Sequence, residues 1–182
     1  MMFERFAANA RRAVRQAVEE ARRQERDEIG GEHLLLALLR DRTGEAGALL
    51  AGRGVRSADV EDAYARSRRR GGLSEAESDS LHGIGIDVRE VVAAVERSHG
   101  AEALVRRRRR RRGLFAGHRP FTAEAKAVLE RSLREALEHG DRSVRDLHLL
   151  LALRTGGGVA AEVLAERGVD YAAVLSSVRR SA

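Results

Sequence analysis

The 182-residue sequence has no cysteine and no tryptophan, one proline (Pro120), one lysine (Lys126), and an aromatic content of only 3%. Without cysteine there can be no disulfide, no thiol chemistry and no thiolate-based zinc site. No apolar run approaches the roughly 20 residues that a membrane-spanning helix needs. The N-terminus carries Glu4 and alternates polar with apolar residues, unlike a signal peptide. A cytoplasmic location without membrane contact is the expectation. A Gly-x-x-x-x-Gly-Lys-Ser/Thr phosphate loop is also missing: the one lysine follows Pro120 within a helical pattern, and Gly156-Gly157-Gly158 runs into Val159-Ala160, which offers no phosphate-gripping lysine. No serine lies in a Gly-x-Ser-x-Gly elbow. The six histidines have no metal-site spacing, and adjacent Glu32 and His33 point to different faces of a helix. No catalysis, cofactor or metal is expected.

What the chain does contain favours helices. Ala, Leu and Val dominate a hydrophobic fraction of 43%, with Glu and Arg filling the polar positions, which is a helix-former composition. The fold class expected is all-α. The net charge of +6 is carried almost wholly by arginine; such uniform usage fits the codon bias of a GC-rich genome better than a nucleic-acid function.

The chain is internally duplicated. Ile29-Gly30-Gly31-Glu32-His33-Leu34-Leu35-Leu36-Ala37-Leu38 returns 115 residues later as Val144-Arg145-Asp146-Leu147-His148-Leu149-Leu150-Leu151-Ala152-Leu153. The same offset maps Phe6 onto Phe121, Ala10 onto Ala125, Val14 onto Leu129 and Ala21 onto Ala136, and repetition of this kind defines architecture before any local signal does. Apolar residues at spacings of three and four predict helices at about 2–26, 32–40, 45–52 and 57–68, and again at 123–139, 147–154, 159–167 and 171–180. Gly31, Ser57, Asp146 and Asp170 occupy expected N-cap slots. His33 and His148, each ahead of an apolar run, are expected to be buried, hydrogen-bonded structural residues.

Between the copies, residues 69–119 form an insert. Leu81, Gly85, Ile86 and Val91 repeat the spacing of Leu50, Gly54, Val55 and Val60 and of Leu164, Gly168, Val169 and Val174, so the insert is a partial third copy. Capping-box spacings at Ser74–Glu77 and Asp87–Glu90 predict helices at about 75–82 and 88–99. Then come Arg106, Arg107, Arg108, Arg109, Arg110, Arg111 and Arg112, which repel one another and read as a solvated linker. The chain thus divides into 1–68, 69–119 and 120–182.

Tandem four-helix units with a Gly-Gly-Glu-His-Leu-Leu turn resemble the Clp N-terminal (Clp repeat) domain of the ClpC type. The likeness rests on Met2-Phe3-Glu4-Arg5-Phe6, Ile29 to Leu35, His118 to Lys126 and Gly168-Val169-Asp170. It implies a stand-alone, non-catalytic interaction module without ATPase modules. Its partners would be proteins: Clp ATPase or protease components, adaptors, or clients marked by phosphoarginine. It also implies a guanidinium-binding role for Glu32, beside Gly31, where a carboxylate can accept an arginine fork while helix N-terminal amides face the phosphate; the plainer role for Glu32 is to complement the helix dipole. At the matching place in the second copy stands Leu147, so one such site is expected. Phe3 either anchors the first helix or, by the same resemblance, is partly exposed and touches a partner. The alternative function is a basic accessory protein using Arg106–Arg112, with Arg68 to Arg70, against nucleic acid; without neighbouring aromatics such binding would be non-specific and salt-sensitive.

Overall fold

The structure, a computed structural model, describes residues 4–100 and 119–180. Among them the fold is all-α, with ten helices: α1 (Ala8–Arg23), α2 (Gly31–Arg40), α3 (Glu45–Gly52), α4 (Ser57–Arg69), α5 (Glu75–Gly83), α6 (Val88–His99), α7 (Ala123–Glu138), α8 (Asp146–Thr155), α9 (Gly158–Glu166) and α10 (Tyr171–Arg180). Helices α1–α4 and α7–α10 are the two copies. No single helix among the described residues is long and apolar enough to cross a membrane.

The copies lock through their backbones in a reciprocal way. Just before α1, Phe6 forms a parallel bridge to Val144, which precedes α8; just before α7, Phe121 bridges Ile29, which precedes α2. Ala7 N–H donates to Val144 O (2.8 Å) and Val144 N–H to Arg5 O (2.7 Å), while Thr122 N–H donates to Ile29 O (2.9 Å) and Ile29 N–H to Pro120 O (2.9 Å). Each half therefore satisfies the backbone groups of the other, as buried amides and carbonyls require. This pairing explains why α1 begins at Ala8 and not near residue 2: Phe6 and Ala7 are extended to reach Val144.

α2 and α8 lie at the centre. Leu34, Leu35, Leu36, Ala37 and Leu38, and Leu147, Leu149, Leu150, Leu151, Ala152 and Leu153, are all buried, as expected of helices that are apolar all round. One continuous core takes residues from both copies. Ion pairs flank this core: buried Glu20 binds Arg23 one turn on and Arg40 from α2 (3.2 Å).

Helix starts depart by one residue from the expected slots. Gly30 and Arg145 are the N-caps of α2 and α8, so Gly31 and Asp146 are first helical residues, and Arg56, not Ser57, caps α4. The reason at α2 and α8 is the histidine. His33 Nδ1 accepts the Gly30 N–H (2.9 Å) and His148 Nδ1 accepts the Arg145 N–H (3.0 Å). The imidazole thus does the work of the Glu or Gln of a capping box, which requires it to be neutral at Nδ1. Both rings are buried. Burial pushes the His148 pKa down, and Asp141, whose Oδ2 is 2.9 Å from Nε2, does not restore it. A depressed folded value means the unfolded chain takes up the proton first. His148 therefore contributes stability that is complete above the ordinary histidine pKa of about 6.5 and is lost as pH falls through the folded value. Urea unfolding at pH 7.5 and 5.5 should show wild type losing more stability on acidification than His148→Gln, which keeps an acceptor and cannot titrate.

The insert packs on the body through one end. Ser74 and Glu77 exchange the expected capping-box bonds (3.2 and 2.8 Å). Glu162 of α9 accepts the Glu75 and Ala76 N–H groups (3.0 and 2.8 Å), pinning the start of α5. Burial would raise the Glu162 carboxyl, but these two amides, with Ser74 and Arg70, outweigh it and hold it below the usual range. α6 packs on α5, and Ile84, Ile86 and Val91 stay exposed. Asp87 caps α6 from the Arg89 N–H (2.8 Å). The third copy keeps the spacing of the other two but lacks an α1–α2 pair to cover its apolar positions.

Candidate functional site

A groove of about 620 Å³ opens where the starts of α2, α7 and α9 meet the end of α4. Its walls carry six carboxylates (Glu25, Asp27, Glu28, Glu32, Glu77 and Glu124) and two guanidinium groups, Arg26 and Arg68. In a chain of net charge +6 this is an acidic enclave, suited to a cationic group.

Glu32, in the first turn of α2, is 5% exposed. Its Oε2 accepts from Arg68 Nη1 at 2.8 Å. Burial raises the Glu32 pKa, and Arg68 and Arg26 offset this only in part. Beside it, Glu124 of α7 accepts the Tyr64 hydroxyl (3.2 Å) and the Gly31 N–H (3.4 Å). Burial pushes the Tyr64 hydroxyl well above the usual phenol value, and the Glu124 charge adds to it. Gly31 permits the arrangement: a Cβ there would lie 2.5 Å from Glu124 Oε1 and 3.0 Å from the Tyr64 oxygen.

The duplication supplies an internal control. At the offset of 115, Gly31 matches Asp146, Glu32 matches Leu147 and Asn9 matches Glu124. In the other half, Asp146 Oδ2 accepts the Ala46 N–H in the first turn of α3 (3.1 Å), and its Oδ1 accepts from Asn9 Nδ2 (2.7 Å) and the Leu147 N–H (3.0 Å). Asp146 therefore caps not its own helix, as its slot in the sequence suggested, but a helix of the opposite copy. Burial pushes its carboxyl up in spite of the two amides. One half therefore closes the crossing with a built-in anion and a leucine. The other sets a glycine and two glutamates there, and Gly156, Gly157, Gly158 and Val159 line the groove. No side chain caps α9 from its own N-cap, Gly157.

Glu25 sharpens the contrast. It has φ of +52°, the one non-glycine residue with positive φ among those described, whereas its counterpart Gly140 has φ of +75°. The two turns are otherwise alike: Arg26 N–H donates to Ala21 O and Asp141 N–H to Ala136 O, both at 2.8 Å. A glutamate held in the left-handed region on a groove wall is backbone strain at a candidate site. Glu25→Gly is expected to raise stability by about 0.5–1 kcal/mol while weakening capture of a cationic ligand, a split readable by thermal unfolding beside calorimetry.

Of the residues singled out from sequence, Glu32 lines this groove, and Gly31 beside it directs its N–H at the groove residue Glu124. Phe3 and Arg106–Arg112 lie outside the described residues. Arg68 pairs with Glu32. Tyr64, Glu124, Glu25 and the Gly156–Gly158 loop were not anticipated. No group of three or more His, Asp or Glu residues among those described could hold a metal ion.

The fold is a double-repeat, all-α module of the kind found in Clp proteins. The chain belongs to the Clp repeat (R) N-terminal domain family, whose profile matches residues 5–98 and 120–182. It is 32% identical over 180 residues to chaperone protein ClpC2, chloroplastic, of Oryza sativa subsp. japonica, covering 98% of this chain and 15% of that protein. It is equally similar to the ClpA homologue of Guillardia theta, an ATP-dependent Clp protease ATP-binding subunit, covering 98% of this chain and 17% of that one. The chain thus spans about a sixth of the length of these relatives. Its fold matches the N-terminal domain of the chaperone ClpD of Arabidopsis thaliana, with a TM-score of 0.56 and 19% identity, covering 98% of this chain and 97% of that one.

Proposed function

We propose that this chain is a non-catalytic recognition module that captures client or adaptor segments for the Clp system, and that its groove receives a phosphoarginine side chain. The guanidinium would lie against Glu32 and Glu124, and the phosphate would face the first turn of α9. The observation that carries this reading is the asymmetry of the copies: Asp146 puts a carboxylate onto the start of α3, whereas at the start of α9 the matching residue is Gly31, with the buried acid Glu32 beside it. A helix N-terminus favours an anion, a carboxylate favours a guanidinium, and phosphoarginine joins the two in one side chain.

Calorimetry with a phosphoarginine peptide, its unmodified arginine twin and a phosphoserine peptide tests the reading. Binding should be confined to the phosphoarginine peptide and weaken at least about tenfold in Glu32→Gln, the loss of one charge-assisted pair. Absence of phosphoarginine binding by the wild-type protein would sink this ligand.

A further inference from the structure

We infer that Arg68 is a specificity-determining residue of the groove: its own guanidinium holds the Glu32 position in the free protein, so an unmodified arginine gains nothing by entering, and only a guanidinium bearing an anionic group displaces it. This rests on the phosphoarginine reading above.

The geometry is that of a ligand supplied by the chain itself. Arg68 Nη1 is 2.8 Å from Glu32 Oε2, and the Glu32 side chain is 7% exposed against 33% for Arg68. The acid is fixed in the wall, and the base reaches it from the rim. Replacing Arg68 by an incoming arginine exchanges one guanidinium for another of the same charge and the same donors. The intramolecular partner competes at an effective concentration that a free side chain must exceed, on the order of millimolar for short tethers. Exchange therefore yields no net attraction. A phosphate on the incoming guanidinium changes the balance, because it brings charge to the start of α9 and offers the displaced Arg68 a new partner at the same rim.

Arg68 is placed to move without disturbing the core. It lies in the last turn of α4, and the chain continues through Gly71 and Gly72, with φ of +69° and +97°. A Cβ added at Gly72 would meet no heavy atom within 4 Å. The second copy has Leu147 in place of Glu32, so the device belongs to the open half alone.

The test is the affinity of Arg68→Gln for an arginine peptide and for its phosphoarginine twin. It should be measured at pH 8, because burial raises Glu32 and losing Arg68 removes a group that lowers it. Affinity for the unmodified peptide should rise at least about tenfold over wild type as the tethered competitor is removed, and the ratio of the two affinities should fall by a similar factor. Arg68→Lys, with a point charge in place of the fork, should show a smaller gain. Glu32→Gln/Arg68→Gln should show none. Unchanged or weaker binding of the arginine peptide by Arg68→Gln overturns the inference. Failure of wild type to bind phosphoarginine would instead sink the proposed ligand, while a gain of arginine binding in Arg68→Gln would still show the guanidinium as a competitor.

Discussion

Truncating Phe6 to alanine is expected to destabilise the fold by about 3–5 kcal/mol, the range for removing a buried aromatic ring from a core. Phe6 is 2% exposed, and its backbone is one side of the bridge to Val144, so the ring fixes the crossing of the two copies as well as filling it. Its counterpart Phe121 is only partly buried against the same core. Phe121→Ala should therefore cost about 1–2 kcal/mol, less than a full burial's worth of apolar area. Chemical denaturation of the two variants, with unchanged m-values as the check on two-state unfolding, reads the difference directly. Equal losses would mean that the two crossings carry equal weight, contrary to the burial seen.

The second large effect concerns binding. Gly31→Asp combined with Glu124→Asn is expected to rebuild in the first half the arrangement that Asp146 and Asn9 make in the second. A carboxylate would then cap the start of α9 as Asp146 caps α3, and the groove would lose both its place for an anion and one of its acids. Phosphoarginine binding should fall by about a hundredfold or more, the loss of two charge-assisted contacts, with the fold intact. Gly31→Asp alone should be worse for stability, by about 1–3 kcal/mol, because it sets a second carboxylate against Glu124 where the Cβ already lies within 3 Å of its Oε1 and Cδ. A stable double variant that still binds would place the ligand elsewhere.

Much of this was legible in the chain itself. The offset relating Phe6 to Phe121 and His33 to His148 gives the duplication and the helix order, because repeated burial demands repeated apolar spacing. Capping residues Ser74, Thr122 and Asp170 do what their types suggest: Thr122 Oγ1 accepts the Ala125 N–H (3.1 Å) and Asp170 Oδ1 the Ala173 N–H (2.7 Å). The start of α1 was not legible, since the pull of Val144 on residues 5–7 comes from the other copy. Nor was the role of the two histidines as backbone acceptors: the sequence marks them as buried but not as caps. The groove was half legible. Glu32 stands out against Leu147, yet Tyr64, Glu124 and the Gly156–Gly158 loop reach it only because α4, α7 and α9 converge. Aligning Asn9 with Glu124 and Gly31 with Asp146 would have marked the crossing as asymmetric; what lies across from it is a product of packing. Arg68 looked like part of a basic run because its partner is 36 residues away in sequence.

The duplicated fold keeps one crossing open at Gly31 and closes the other with Asp146. Backbone amide spectra recorded while a phosphoarginine peptide is titrated into the full chain test this asymmetry most directly. Shifts are expected at Glu32, Gly157, Gly158 and Val159, with Leu147, Gly44, Glu45 and Ala46 unmoved. Shifts of equal size in both sets, or shifts confined to the exposed Ile84, Ile86 and Val91 surface of the insert, would contradict it.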